Sequence, residues 1–455
     1  MDRNNPWAPY VPSARAPWGL CRALHLHRRA GFAATWAELK RDRKDGPGPS
    51  IDRLLQGQSR TDGVPPDFAE TADTLARLAV EAGDTDRLKA WWAYRMLFGP
   101  DPLTERLTLF WHNHFATSAA KAGMAVKGQN DVLRKFARAP FGELLGAVVR
   151  DPALLLYLDA QANRKGKPNE NLARELMELF TLGIGHYTEA DVKEAARALT
   201  GWTVEKGRFR EDDSLHDSGE KTILGRKGAW KGGDLLRLLL AHPATAERLA
   251  GRLCELFLGE GAIDADGVRA LAAGLRERHL DVGWAVETVL RSQVFFAEKN
   301  IGTRVLGPVE YVVGAARALE LLGPAPSTLV LAEFAANLGQ DLFHPPNVGG
   351  WPGGRAWLST RAAVGRCNYA SALLEGEGVG LPGAPDVLAL ARRHGRGRHL
   401  EDLVAFFAEL LLGGVPSRAW RERLLAALGP GAAADSATAR RAAAQVLCCP
   451  ESWLA

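Results

Sequence analysis

Cysteine is scarce in this chain, and its five residues, Cys21, Cys254, Cys367, Cys448 and Cys449, form an odd set without CxxC spacing. That pattern excludes a disulfide framework and a zinc ribbon, and it points to reduced thiols. No apolar run reaches the length of about 18 residues that a membrane-spanning helix needs, so no transmembrane segment is expected. The opening MDRNNPWAPYVPSARAPWG lacks the apolar stretch of a secretory signal. Arg28 and Arg29 do not make a twin-arginine signal, because a polar segment with Glu38, Lys40 and Arg41 follows them. The expected location is therefore cytoplasmic. Nor is there a large excess of one charge: 57 Lys and Arg stand against 53 Asp and Glu, a net +4. A protein that coats nucleic acid needs a stronger bias, so no specific nucleic-acid partner is expected. Arg3, Arg15, Arg22, Arg28, Arg29, Lys40, Arg41, Arg43 and Lys44 make the first 45 residues more basic, which reads as a solvated surface.

Alternating β-branched runs are also rare, whereas apolar residues recur at three and four positions through most of the 455 residues. The reading is a mainly α protein, a multi-helix globular array. RFRE and KTILG suggest a small β-hairpin in an excursion near 205–234. The breaks divide the chain into a basic helical segment and linker at 1–66, a main helical body at 67–372 and a C-terminal helical segment at 373–455. PLTERLTLFWHNHF at 102–115 is echoed by PATAERLAGRLCELF at 243–257, and Arg150 aligns with Arg291 downstream, which suggests repeated helix pairs. His112 and His114 align with Cys254 and Leu256, so helix packing alone does not demand the histidines.

Three polar clusters interrupt this pattern. In Phe110 to Phe115, Leu103, Leu107, Phe110, Trp111 and His114 share one helix face, and His114 should point inward. His112 lies ~200° further round the axis, so the pair cannot clasp one ion from a regular helix. The letters HNH do not come with the hairpin and helix of a nuclease site, and a hydrogen-bonded core histidine is the alternative. In the second cluster Pro168 and Asn169 start a helix that Gly183 and Gly185 end. Glu170, Arg174 and Glu178 step by four, so one arginine could bridge two acids, and Glu175 with Glu178 forms a carboxylate pair. Exposed, this is a solvated ladder. Buried, it could shift proton affinities for acid and base work or hold a divalent metal. His186 could face the pair, and His216-Asp217 with Lys221 lies in the long excursion. Thr188 and Asp191 cap the following helix. The third cluster runs from Gln340 to Gly354, where prolines and glycines fix one loop shape around His344, Asn347 and the anchor Trp351.

FWHNHFATS at 110–118, NENLARELMELFTLGIGHYTEADVKEAARALTGW at 169–202 and GQDLFHPPNVGGWPGG at 339–354, with His216-Asp217 and Lys221-Thr222, resemble the bacterial family called domain of unknown function 1800. The likeness runs from HLHRRAGF at 25–32 through the C-terminal helices. The family has no general activity to carry over. The resemblance implies that relatives are often exported and encoded beside a family of sulfatase-like exported proteins, a candidate partner; this chain departs by showing no signal.

Two functional expectations follow. One is a soluble enzyme with a buried His/Glu/Arg pocket, performing metal-assisted hydrolysis. His114, Glu175, Glu178, His186, His216 and Asp217 are its catalytic candidates, with Glu175, Glu178 and His114 as metal ligands. His112, Asn113, Asn169, Glu170, Asn171, Arg174, Lys221, His344, Asn347 and Trp351 are binding candidates. The other is a non-catalytic protein-binding or assembly module anchored through Trp351. Both make the meeting of the three clusters around one cavity the deciding geometry.

Overall fold

The computed structural model describes residues 5–60, 63–429 and 431–455, and these are built almost wholly from helices. The only strands among them are two small hairpins. RFRE does not pair with KTILG. Instead Arg208–Glu211 folds back on Trp202–Glu205, and Lys221–Ile223 pairs forward with Arg226–Gly228. Lys206-Gly207 and Leu224-Gly225 supply the consecutive positive φ values that tight hairpin turns require, which is why the chain turns twice within the excursion. No helix among the described residues is long and apolar enough to cross a membrane.

The internal repetition has a three-dimensional counterpart. The helices Pro102–His114, Ala125–Lys135 and Phe141–Val148 recur as Pro243–Phe257, Ala265–Glu277 and Val282–Arg291, each starting 140 or 141 residues later. Both leading helices begin with proline at the first position behind a capping side chain, Asp101 in one and His242 in the other. Pro140 and Asp281, 141 residues apart, form an antiparallel bridge in which the Phe141 N–H donates to the Leu280 carbonyl at 2.9 Å. An antiparallel bridge between equivalent residues is what a local two-fold axis produces.

Two hydrophobic cores share the molecule. One gathers Trp36, Trp92, Phe343, Trp351 and Phe406, the other Trp111, Phe115, Phe141, Phe180 and Trp202. Several helices straddle the seam, among them these two. Leu20–Ala30 gives Ala23 and Leu24 to the first core and Leu26 and Ala30 to the second, while Pro102–His114 gives Leu109 to the first and Leu103, Leu107 and Phe110 to the second.

The basic N-terminal stretch divides: Arg15, Lys40, Arg43 and Lys44 are exposed, as a solvated surface requires, whereas three of its arginines are not, and Arg3 lies outside the described residues. Arg22, Arg28 and Arg29 are buried. Arg29 donates to the carbonyls of Phe257 at 2.9 Å and Asn300 at 2.6 Å; Arg28 donates to Leu411 at 2.7 Å and to Ser452. Phe257 and Leu411 lie in the last turns of their helices, whose carbonyls have no partner within the helix. A guanidinium satisfies two such carbonyls at once and complements the negative helix end, so burial here replaces hydration with hydrogen bonds.

Arg29→Met leaves the Phe257 carbonyl unpaired, at about 1–3 kcal/mol, while the Asn300 carbonyl keeps the Thr303 hydroxyl, which donates to it at 2.9 Å. Urea denaturation should show a loss of about 1–3 kcal/mol, and an unchanged midpoint would remove this arginine from the seam's support.

Candidate functional site

The first and third clusters meet. Asn113 Oδ1 accepts the Trp351 N–H at 2.6 Å, and the Trp351 ring stacks on His112 with centroids 5.6 Å apart. The contact depends on glycine. Gly350 sits at φ +86°, and a Cβ there would fall 2.2 Å from Asn113 Oδ1. His112 is fully buried between Trp351, Trp92 at 5.2 Å and Phe343 at 5.4 Å. Neither of its ring nitrogens has a hydrogen-bond partner among the described residues. Burial, with a smaller contribution from His344, pushes its pKa down to about 3 and keeps the ring neutral. His344 is half-buried beside it, and Asn347 is exposed, its Oδ1 accepting the Gly349 N–H at 2.8 Å.

His114 points the other way, as its place on the helix requires. Its Nε2 lies 3.2 Å from the Phe180 carbonyl, an arrangement that puts the proton on that nitrogen, and Phe110, Trp111, Phe115, Phe141 and Phe180 surround it. Burial, then Arg252 and Arg248, hold its proton affinity well below the ordinary histidine range. The Pro102–His114 helix thus touches the third cluster with His112 and the second with His114, on opposite sides.

The second cluster begins as the helix Asn171–Glu175 and continues as a π-helix, Leu176–Thr181. Its wider winding takes Glu178 off the stripe of Glu170 and Arg174. Arg174 therefore bridges Glu170 at 3.0 Å and Glu189 at 2.8 Å, near the surface, instead of Glu178. The Tyr187 hydroxyl donates to Glu178 Oε2 at 2.8 Å. Glu175 is half-buried; burial first and the Glu178 charge second raise its pKa. Asn169 Oδ1 accepts the Asn171 N–H at 2.9 Å in the turn before the helix. His186 is exposed, its ring 6.1 Å from that of His242.

His216 and Asp217 do not bond to each other. His216 is buried with Nδ1 at 3.0 Å from the Thr200 carbonyl; Asp217 binds Arg197 at 2.8 Å, a hydrogen bond that lowers its pKa to about 2. Lys221 is buried and donates to the carbonyls of Asp217 and Gly219. Together they pin the excursion to the Glu189–Ala198 helix. Among the described residues no group of three His, Cys, Asp or Glu side chains is arranged to hold a metal ion.

A cleft of about 390 Å³ opens at the seam between the two cores, in the size range of small-molecule sites. Leu109 and Phe110 line it from the helix Pro102–His114 and Arg252, Glu255 and Leu256 from Pro243–Phe257, with Asn113, Gln340, Trp351 and Trp357 completing the lining. Its floor is charged. Arg304 grips Glu310 with both terminal nitrogens, and Arg106 meets the same carboxylate at 3.2 Å. Arg106 is 5% and Glu310 6% exposed. Burial opposes ionisation of Glu310, yet Arg106, Arg304 and the Gly307 N–H hold its pKa at about 2. Sequence reasoning missed Arg106, Arg304 and Glu310. A signal existed for the first, because positions 106, 109, 110 and 113 share the helical spacing that makes one stripe, with Arg106 the charged residue in it.

A family model described as a protein of unknown function (DUF1800) matches residues 25–454. No curated protein and no solved structure matches the chain.

Between about pH 6.5, the ordinary histidine value, and pH 3, His112 takes up a proton only when the chain unfolds. Its contribution to stability is intact above about pH 6.5 and is lost as pH falls, by up to about 1.4 kcal/mol per unit. His112→Leu should flatten this acid limb in denaturation series between about pH 7 and pH 5. An equally steep limb in the variant would assign the pH dependence elsewhere.

Proposed function

The chain belongs to this family of proteins of unknown function, matched through nearly all its length, and from that premise we propose that its function lies in the cleft. A polar small molecule, or the polar end of a larger one, binds between the helices Pro102–His114 and Pro243–Phe257 under the Trp351 loop. One observation carries this reading: Arg106 and Glu310 are buried, and the Arg304 side chain nearly so, where they border a ligand-sized opening. Apolar residues of similar size would pack the same seam at no cost in stability, so charge retained there is better accounted for by a ligand than by folding. The same cleft suits a polar peptide segment if the protein acts as an assembly module. Trp351 itself is spent on His112 and Asn113.

Arg252 lies on the wall of the cleft, beside the Phe110 ring. Arg252→Trp should fill the opening without touching the floor. A panel of polar metabolites screened by thermal shift should give ligands that stabilise the native chain and lose their effect in this variant. Ligands that act equally on both proteins would place binding outside the cleft.

A second reading retains the hydrolase expected from the sequence, with Glu175 and Glu178 as its acid and base and without the metal, for which the described residues offer no ligand set. It is favoured by the raised proton affinity of Glu175 beside Glu178 and by the π-helix that carries them, a winding often found at functional sites. Glu178→Gln removes the neighbouring charge, so the Glu175 titration followed by carboxyl carbon NMR should move down toward the ordinary glutamate range. A titration that stays in place would show the two carboxylates to be independent and would end this reading.

A further inference from the structure

The polar groups around the floor of the cleft are not balanced between donors and acceptors. Asn113 Oδ1 is taken by the Trp351 N–H and Gln340 Oε1 by the Val309 N–H at 3.1 Å. A backbone N–H can meet only the oxygen of a side-chain amide, so both amides are fixed with their NH₂ groups unspent, and both residues line the cleft. Arg106 is treated the same way. Arg304 occupies both oxygens of Glu310 in a forked pair, leaving Arg106 a single contact, and among the described residues its Nε–H has no partner at all. Arg28 and Arg29, whose electrostatic neighbours include Arg304 and Glu310, add positive charge behind the floor. Arg106 and Arg304 thus share one buried carboxylate, while Arg28 and Arg29 are paired with backbone carbonyls. The remaining carboxylates of the cleft lie on its wall, Glu255 paired with Arg252 at 3.0 Å and Glu260 exposed.

A site that offers donors and positive charge calls for an acceptor that carries negative charge. We propose that the floor of the cleft is an oxyanion site, at which the terminal phosphate, sulfate or carboxylate of the ligand accepts from Arg106, Asn113 Nδ2 and Gln340 Nε2. This rests on the cleft being the ligand site and adds the chemical class of what it holds. The anion takes up the donors that Glu310 leaves unspent, and no bond is made or broken in binding it.

The test uses an isosteric exchange. Gln340→Glu keeps the oxygen that accepts the Val309 N–H and replaces the unspent donor with a negatively charged oxygen in the same place. The full chain is titrated at constant ionic strength with inorganic phosphate, sulfate and acetate, and thermal stability and calorimetric heat are read. The wild type should be stabilised in a saturable manner. Gln340→Glu should fold, melt higher than wild type without any anion, and lose the response by at least about tenfold in affinity; Arg106→Gln should lose it too. A stronger response to acetate assigns a carboxylate ligand, and a stronger response to phosphate or sulfate a tetrahedral one. The proposal is overturned if no anion stabilises the wild type beyond equal ionic strength of chloride, or if Gln340→Glu responds as the wild type does. If metabolites blocked by Arg252→Trp still bind Arg106→Gln and Gln340→Glu with full affinity, the cleft remains the ligand site while the oxyanion assignment fails.

Discussion

Glu310 is the constraint on which the seam of this protein turns. A carboxylate buried among Arg106 and Arg304 is costly to desolvate, and it stays ionised only because both guanidiniums and the Gly307 N–H converge on it. Arg106 belongs to a helix that contributes to both cores, and Arg304 to the segment leading into the Pro308–Ala318 helix. Removing the carboxylate would leave two buried cations facing each other. The neighbouring arginines of the first helix solve the same problem differently, by donating to carbonyls at helix ends. Backbone dipoles and one side chain together serve as counter-charge for the group.

The duplicated helices explain why an opening occurs at this place. The recurring helices Pro102–His114 and Pro243–Phe257 both pack in the second core and both line the cleft. The copies have diverged where they face it. One carries Arg106 and Asn113, the other Arg252 and Glu255, and the Trp351 loop is fixed to the first through Asn113 Oδ1. A symmetric scaffold is thereby made into an asymmetric site.

Much of this could be read from the residues. The helical class, the recurrence of the 102–115 stretch near 243, the opposed directions of His112 and His114 and the caps at Thr188 and Asp191 follow from periodicity and local chemistry, and the fold has them. What escaped were pairings decided by tertiary contact. Arg174 was expected to reach Glu178, but π winding, which has no simple sequence signal, turned the glutamate toward Tyr187. The basic N-terminus resembles a solvated surface because sequence cannot show that helix ends elsewhere present carbonyls to Arg28 and Arg29. Glu310 is inconspicuous for the same reason: its partners at 106 and 304 are far away along the chain.

The closeness of Gly350 to Asn113 means that the loop and the helix cannot change independently. An acceptor at position 113 is useful only while position 350 has no side chain, and the bare backbone at 350 has this neighbour only while 113 stays short. The two positions, more than two hundred residues apart, are coupled by this contact. A chain of this kind that alters either must rebuild the cover of its cleft, and with it whatever the cleft admits.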